Sequence, residues 1–310
     1  MRKPKTQSQP PPTYVPLEVT TNYGFLRGGS HPEELVLTAA ALGLPALAVT
    51  DRNSLAGVVR AHTAVKELAA KDSPLQLLVG ARLVPSDEAG NETAEILCFP
   101  TDRAAYARLC RLLTLGKRRA AKAQCLFTLD ELLDHGDGQT FVVLPEGNYA
   151  DALRQLATTF PDQTFLGARA LYRGDDARRL AALAALAQSA GVPLAACNDV
   201  RMHAASRKPL LDVVTCIRHG CTIDSAGYRL DANAERYLKS PEDMAHLFRD
   251  YPEALANTCE IARRCNFSLD ELRHDYPEEL THAGRTPQEE LEHLTWIGAR
   301  HRYPKGVPAT

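Results

Sequence analysis

Short apolar runs alternate, up to about residue 205, with longer stretches whose apolar positions recur every three or four residues. The short runs are 16–21 (PLEVTT), 46–50 (ALAVT), 75–83 (LQLLVGARL), 94–99 (AEILCF), 140–144 (TFVVL), 164–171 (TFLGARAL) and 192–197 (VPLAAC), and they predict seven strands. Helical patterns lie between them. HPEELVLTAAALG has Pro32 in its first turn and Gly43 just past its end, the asymmetry expected of a helix that starts on proline and stops on glycine. SLAGVVRAHTAVKELAA, DRAAYARLCRLLTLGKRRAA and DDARRLAALAALAQSAG repeat the pattern. Strand followed by helix, repeated, predicts parallel strands joined by right-handed crossovers, in a doubly wound sheet or a closed barrel; periodicity leaves that choice open. Beyond residue 205 only helical patterns follow, ending near Tyr303, and the trailing PKGVPAT has no closing element, so the chain reads as truncated there. MRKPKTQSQPPPT, residues 1–13, reads as a disordered lead-in without the apolar core of a signal peptide.

Composition narrows the classes. With 45% hydrophobic residues in 310, the chain can bury one large core or two moderate ones. Its 36 Lys+Arg against 38 Asp+Glu give a net charge of -2, so any nucleic-acid contact must be local. The eight cysteines, Cys98, Cys110, Cys125, Cys197, Cys216, Cys221, Cys259 and Cys265, form no Cys-x-x-Cys pair and sit in apolar surroundings, which predicts reduced thiols in a cytoplasmic protein. No window suggests a membrane span.

The blocks YVPLEVTTNYGFLRGGSHPEELVLTAAALGLPALAVTDRNSLAGVVR, LAACNDVRMHAASRKPLLDVVTCIRHGCTI and ANAERYLKSPEDMAHLFRDYPEALANTCEIARRCNFSLDELRHDYPEE occur in this order. Together they resemble the N-terminal PHP region of bacterial C-family DNA polymerases, most of all the error-prone, damage-inducible paralogue of the replicative alpha subunit. The resemblance implies an α/β fold: a distorted (β/α)7 PHP barrel over 14–220 and a helical extension over 221–310 leading toward a polymerase palm. It also implies that the polymerase carboxylates and their Mg²⁺ lie beyond Thr310, with no cofactor in this stretch. The expected partners are the remainder of the polymerase chain, DNA through the full-length enzyme, and accessory translesion proteins.

Such a barrel places its chemistry at the C-terminal ends of its strands. Active PHP domains carry a His-x-His at the end of the first strand, and the resemblance puts Glu18 and Thr20 there. The following Asp falls on Arg27, and Thr-Asp-His after the second strand reads Thr50-Asp51-Arg52. Gly-Ala-Glu after the third reads Gly80-Ala81-Arg82, a His opening the next strand falls on Glu95, and the His after the sixth falls on Tyr172. The last motif, Asn-Asp-x-His, reads Asn198-Asp199-Val200-Arg201. A guanidinium offers five donors and no lone pair, so it cannot ligate a metal. A hydrolase that clamps phosphate between ions needs several intact ligands at once. The pattern therefore predicts a dismantled metal site in which Arg27, Arg52, Arg82 and Arg201 pair with Glu18, Asp51, Glu95 and Asp199. The competing expectation is drift, with each side chain facing solvent separately.

Weaker signals read as structural. His203 is one imidazole without partners and belongs to no site. Gly116-Lys117-Arg118-Arg119 with Lys122 reads as a solvated helix face rather than a DNA contact. Gly28 and Gly29 lack the spacing of a nucleotide-binding loop and read as a turn needing permissive φ. The leading functional reading is a structural and interaction domain of an error-prone polymerase acting in translesion synthesis and DNA repair. Against it stand a metal-dependent phosphoesterase or 3'-5' exonuclease with a carboxylate-based site, and a DNA-binding module.

Overall fold

The computed structural model describes residues 13–272, 281 and 284–306. The strands are β1 (Ala46–Val49), β2 (Gln76–Val79), β3 (Ala81–Leu83), β4 (Ala94–Pro100), β5 (Gln139–Gly147), β6 (Thr164–Arg169) and β7 (Leu194–Cys197). The helices are α1 (Pro32–Ala41), α2 (Val58–Ala69), α3 (Arg103–Arg119), α4 (Leu129–Asp134), α5 (Tyr149–Thr159), α6 (Asp176–Ala190), α7 (Lys208–His219), α8 (Ile223–Ala226), α9 (Pro241–Leu247), α10 (Pro252–Arg264) and α11 (Pro287–Arg302). As expected, α1 has Pro32 at its first position and Gly43 just beyond it at φ +68°.

β1 pairs with β2, and β3 through β7 form a second sheet in sequential order. Two junctions turn these sheets into a closed ring. On one side the expected first strand, 16–21, lies between β7 and β1: Thr20 N–H donates to the Val200 carbonyl at 2.8 Å, Val200 N–H to Glu18 at 2.8 Å, and Ala48 N–H to Pro16 at 3.0 Å. On the other side β2 and β3 are one extended run broken only at Gly80, and Arg52 bridges Arg82 in parallel. The expected 75–83 strand divides there because it changes partner, pairing with β1 before Gly80 and with β4 after it, and a Cβ on Gly80 would meet the Phe99 ring at 2.7 Å.

The expectation of parallel strands joined by crossovers fails at β4, which runs antiparallel to both β3 and β5. Residues 84–93 are too few for a helical crossover and instead make a hairpin, with Gly90 N–H on the Asp87 carbonyl at 3.0 Å. The reversal has a consequence for the site, because it puts the N-terminal end of β4 at the mouth where the other strands end.

The barrel interior follows from the two-residue period of strands. Leu97 and Phe99 on β4, Val142 and Leu144 on β5, Phe165 on β6, and Ala195 and Cys197 on β7 share one buried cluster, joined by Ile261 and Ala262 of α10 and by Cys265 just past its end. Helix α10 thus packs within the same compact unit as the barrel, which extends to Glu271. The region from Leu272 onward is a second unit, where Thr286 caps α11 and receives the Glu289 carboxylate on its own N–H at 2.8 Å. Among the described residues no helix is long and apolar enough to cross a membrane. The expected lead-in at 1–13 lies outside the described residues apart from Thr13.

Gly28 is needed for a reason other than the one expected of Gly28 and Gly29. Neither is among the glycines at positive φ, and it is Phe25 and Leu26 that hold φ of 52° and 61°. Gly28 lies so close to the barrel that a Cβ would stand 2.2 Å from the Thr21 carbonyl oxygen. Gly28→Ala should therefore shift backbone against backbone and cost at least about 2 kcal/mol in urea unfolding. A variant as stable as the parent would show that the loop slides freely.

Candidate functional site

Continuing the interior parity one step past the apolar residues brings charged side chains to the mouth. Glu95 precedes Leu97, Glu146 follows Leu144, Asp199 follows Cys197, and on the strands with an interior glycine Arg82 and Arg169 follow Gly80 and Gly167. Glu18 joins them from the irregular segment between β7 and β1. A small cleft at this mouth is lined by Thr20, Arg27, Arg52, Arg82, Glu95 and Arg201, six of the ten positions singled out in the sequence.

Arg82 is the centre. Its Nη2 donates to Glu18 Oε1 at 3.0 Å and to Asp199 Oδ1 at 2.9 Å, with the Thr20 hydroxyl at 3.5 Å, while its Nη1 reaches Glu95 Oε2 at 3.1 Å. Glu18 and Asp199 are buried, and the Asp199 backbone N–H also donates to Glu18 Oε2 at 3.0 Å. Arg201 Nη2 lies 3.0 Å from Asp199 Oδ2, and Arg52 lies 3.5 Å from Glu95 and against Glu92.

Two arginines missed in the sequence complete the network. Arg169 grips Glu18 from the far side, Nε to Oε2 at 2.9 Å and Nη2 to Oε1, and reaches Glu146 with Nη1 at 2.6 Å. Burial alone would lower the pKa of its guanidinium, but Glu18, through its field and its hydrogen bonds, together with Glu146 and Glu95, raises it instead. Arg236 contacts Asp199 and places Nε 3.0 Å from Asp231. Its pKa is lowered to about 10, by burial first and then by the nearby Arg169. Burial likewise raises the Glu95 carboxyl, but Arg82, Arg169 and Arg52 outweigh it and hold the group below its ordinary value.

Three expected members stand apart. Asp51 pairs with no arginine: it accepts the Thr21 N–H on Oδ1 and the Thr21 hydroxyl on Oδ2, both at 2.7 Å. Burial pushes its carboxyl up to about 6 despite those bonds and the field of Arg82. Arg27 meets no carboxylate either; its side chain donates to the Phe25 carbonyl at 3.3 Å, and its pKa is lowered to about 10 by burial and by Arg52 and Arg218. Tyr172 is 57% exposed at φ 54°, outside the cleft, and the place expected for it is filled by Arg169 three residues earlier. His203 accordingly belongs to the scaffold, with Nδ1 2.8 Å from Ser30 Oγ.

Comparison with known proteins agrees with this geometry. Residues 16–164 match the family described as the PHP domain. The chain carries a PHP domain. It is 46% identical over 301 residues to an error-prone DNA polymerase of Caulobacter vibrioides, covering 96% of this chain and 27% of that protein. It is 45% identical over 302 residues to error-prone DNA polymerase 1 of Agrobacterium fabrum, with the same coverages. The chain thus spans about a quarter of the length of these relatives. A solved structure from Bifidobacterium adolescentis, provisionally assigned as a metal-dependent phosphoesterase, aligns at 15% identity and TM-score 0.44, over 62% of this chain and 88% of that one.

The residues of this PHP domain do not fit the divalent metals that its family implies. No group of three or more His, Cys, Asp or Glu among the described residues is arranged to hold an ion. Two buried carboxylates of the mouth, Glu18 and Asp199, converge instead on one nitrogen of Arg82, which stands where a shared cation would have to sit. An ion would have to displace that guanidinium before it met both carboxylates.

Two outcomes follow. Arg82→Ala removes the one guanidinium shared by Glu18, Glu95 and Asp199, leaves the two buried carboxylates with Arg169, Arg201 and Arg236 alone, and should cost about 2–4 kcal/mol in chemical unfolding, whereas Arg27→Ala removes no ion pair and should cost under about 1 kcal/mol; equal effects would contradict the pairing. The second concerns pH. Because the folded pKa of Asp51 is raised, its contribution is fully present below the ordinary carboxyl value and is lost as pH rises toward about 6. Asp51→Asn, which keeps the Thr21 bonds in neutral form, should therefore gain on the parent by about 1–3 kcal/mol between pH 4 and pH 7. Parallel stability curves across that range would rule out a buried, destabilised carboxylate.

Proposed function

We propose that this chain is a non-catalytic, structural and interaction domain of an error-prone DNA polymerase that works in translesion synthesis and DNA repair. In this reading the barrel of 14–220 is a support, and the helical extension of 221–310 leads toward a palm carried by a longer chain. Nucleotidyl transfer and its Mg²⁺ belong to that longer chain, together with most contacts to DNA. Partners are the remainder of the polymerase and accessory translesion proteins, in the cytoplasm.

The observation that carries the reading is the bonding of Arg82 to Glu18, Glu95 and Asp199 at 2.9–3.1 Å. A carboxylate-based phosphoesterase or 3'-5' exonuclease would need those oxygens free for Mg²⁺ or Mn²⁺. Each is instead engaged by a guanidinium that stays protonated. What the network does supply is mechanical: it ties the segment at Glu18, β4 and the loop after β7 at one point.

The test is an assay of the purified 310-residue chain with Mn²⁺, Zn²⁺ or Mg²⁺ against a generic phosphodiester and a labelled primer. Neither hydrolysis nor shortening of the primer end above a no-enzyme control is expected. Metal-stimulated turnover that disappears in a folded Asp199→Asn variant would overturn the proposal.

A further inference from the structure

The basic run at the end of α3 does more than face solvent. The last turn of α3 and the loop 120–126 line a groove of about 630 Å³ together with Phe25, Arg27 and Arg52. Lys117 and Lys122 both line it, and Glu92 is the one carboxylate among its lining residues. Glu92 is already held by Arg52. Among the described residues Lys117 and Lys122 form no ion pair, and Arg27 finds only a backbone carbonyl.

Cations in the last turn of α3 complement the negative end of the helix, which accounts for Lys117 on purely local grounds. That account does not reach Lys122, which lies past the helix, or Arg27, which comes from a different loop. Three unpaired cations from three elements around one concavity, in a protein whose net charge is -2, mark a local site for negative charge.

The aromatic ring in the groove points to the kind of anion. Phe25 is 46% exposed and holds φ of 52°, a conformation that costs energy for a bulky residue. Its loop is pinned from both ends, by Asn22 N–H on the Ser30 carbonyl at 2.9 Å and Gly29 N–H on the Arg201 carbonyl at 2.7 Å. An apolar ring presented to water by a strained, anchored backbone gains nothing from burial in this fold. Ala123, which lines the same groove, also stands at positive φ, 71°.

We propose that this groove binds a short stretch of single-stranded nucleic acid, with phosphates on Arg27, Lys117 and Lys122 and a base stacked on Phe25. Unpaired bases offer a π-face to an aromatic platform, while a duplex keeps its bases stacked inside. A lone phosphate would use one or two of the cations and leave Phe25 without a role. The groove lies beside the buried arginine network, so its assignment stands whether or not the barrel proves catalytically silent.

The test is fluorescence anisotropy of a labelled oligo-dT 12-mer with the 310-residue chain at several salt concentrations. The parent should bind, and the triple variant Arg27→Gln, Lys117→Gln, Lys122→Gln should bind at least about tenfold more weakly, with a log–log salt slope shallower by about 2, since each single-strand phosphate contact contributes about 0.7. Phe25→Ala should weaken binding by about tenfold and leave that slope unchanged. Thermal melts of the variants should match the parent, because none of the four side chains is part of an ion pair or the core. No binding by the parent up to about 100 µM at low salt, or a triple variant with unchanged affinity and slope, would overturn the assignment. Displacement of the oligomer by dTMP or inorganic phosphate at equal phosphate concentration would also overturn it, in favour of a small phosphate ligand.

Discussion

The mouth of this barrel depends on one buried guanidinium. Arg82 joins Glu18, Glu95 and Asp199, which come from the segment between β7 and β1, from β4, and from the loop after β7. Taking two carboxylates out of water costs several kcal/mol each unless their lone pairs are filled, and a single arginine cannot fill them all. Arg169, Arg201 and Arg236 take the remaining oxygens, and the Asp199 N–H closes on Glu18. The result does geometrically what a shared cation does, since several anions converge on one positive centre. It differs chemically, because a guanidinium offers no open coordination position and cannot lower the pKa of a bound water.

That convergence requires β4 to run backwards. On a strand parallel to its neighbours, Glu95 would sit at the closed end, among the residues that pack on α10. The hairpin at 84–93 turns the strand around, and the register that sets Glu95 opposite Leu144 brings its carboxylate to the mouth. Strand positions were legible in the sequence because apolar runs mark them whatever their direction. Direction was not, because the clue lay in the length and turn chemistry of one linker, and counting alternating elements passes over it.

The site was legible to a similar depth. Motif positions led to Glu18, Arg52, Arg82, Glu95, Asp199 and Arg201, whose pairing the structure displays. They misled at Tyr172, where alignment to a lost histidine was followed instead of strand parity. Counting in twos from Phe165 along β6 leads to Arg169, and that signal was present in TFLGAR. Arg236 carried no such signal, because it arrives from a segment distant in sequence that joins the mouth through tertiary contacts, among them the Arg201 N–H on the Arg236 carbonyl at 2.8 Å. Asp51 and Arg27 were assigned partners by charge balance alone. Charge balance ignores that a hydroxyl and an N–H from Thr21 occupy the two oxygens of Asp51 in place of a guanidinium, and that a loop pinned at Gly28 holds Arg27 away from the acids.

The arginines and lysines near the mouth therefore fall into two populations under different constraints. Those inside the ring are desolvated, and each must be matched by carboxylate oxygens for the fold to tolerate it. Lys117 and Lys122 border an open groove where water screens them, and Arg27, though partly buried, reaches no carboxylate among the described residues, so the fold does not supply a partner for any of them. Stability can thus explain the positions of the first population but not of the second. A charge that the fold neither needs nor neutralises remains available to a ligand. For that reason the rim, rather than the buried network, is the part of this mouth with chemistry to offer another molecule.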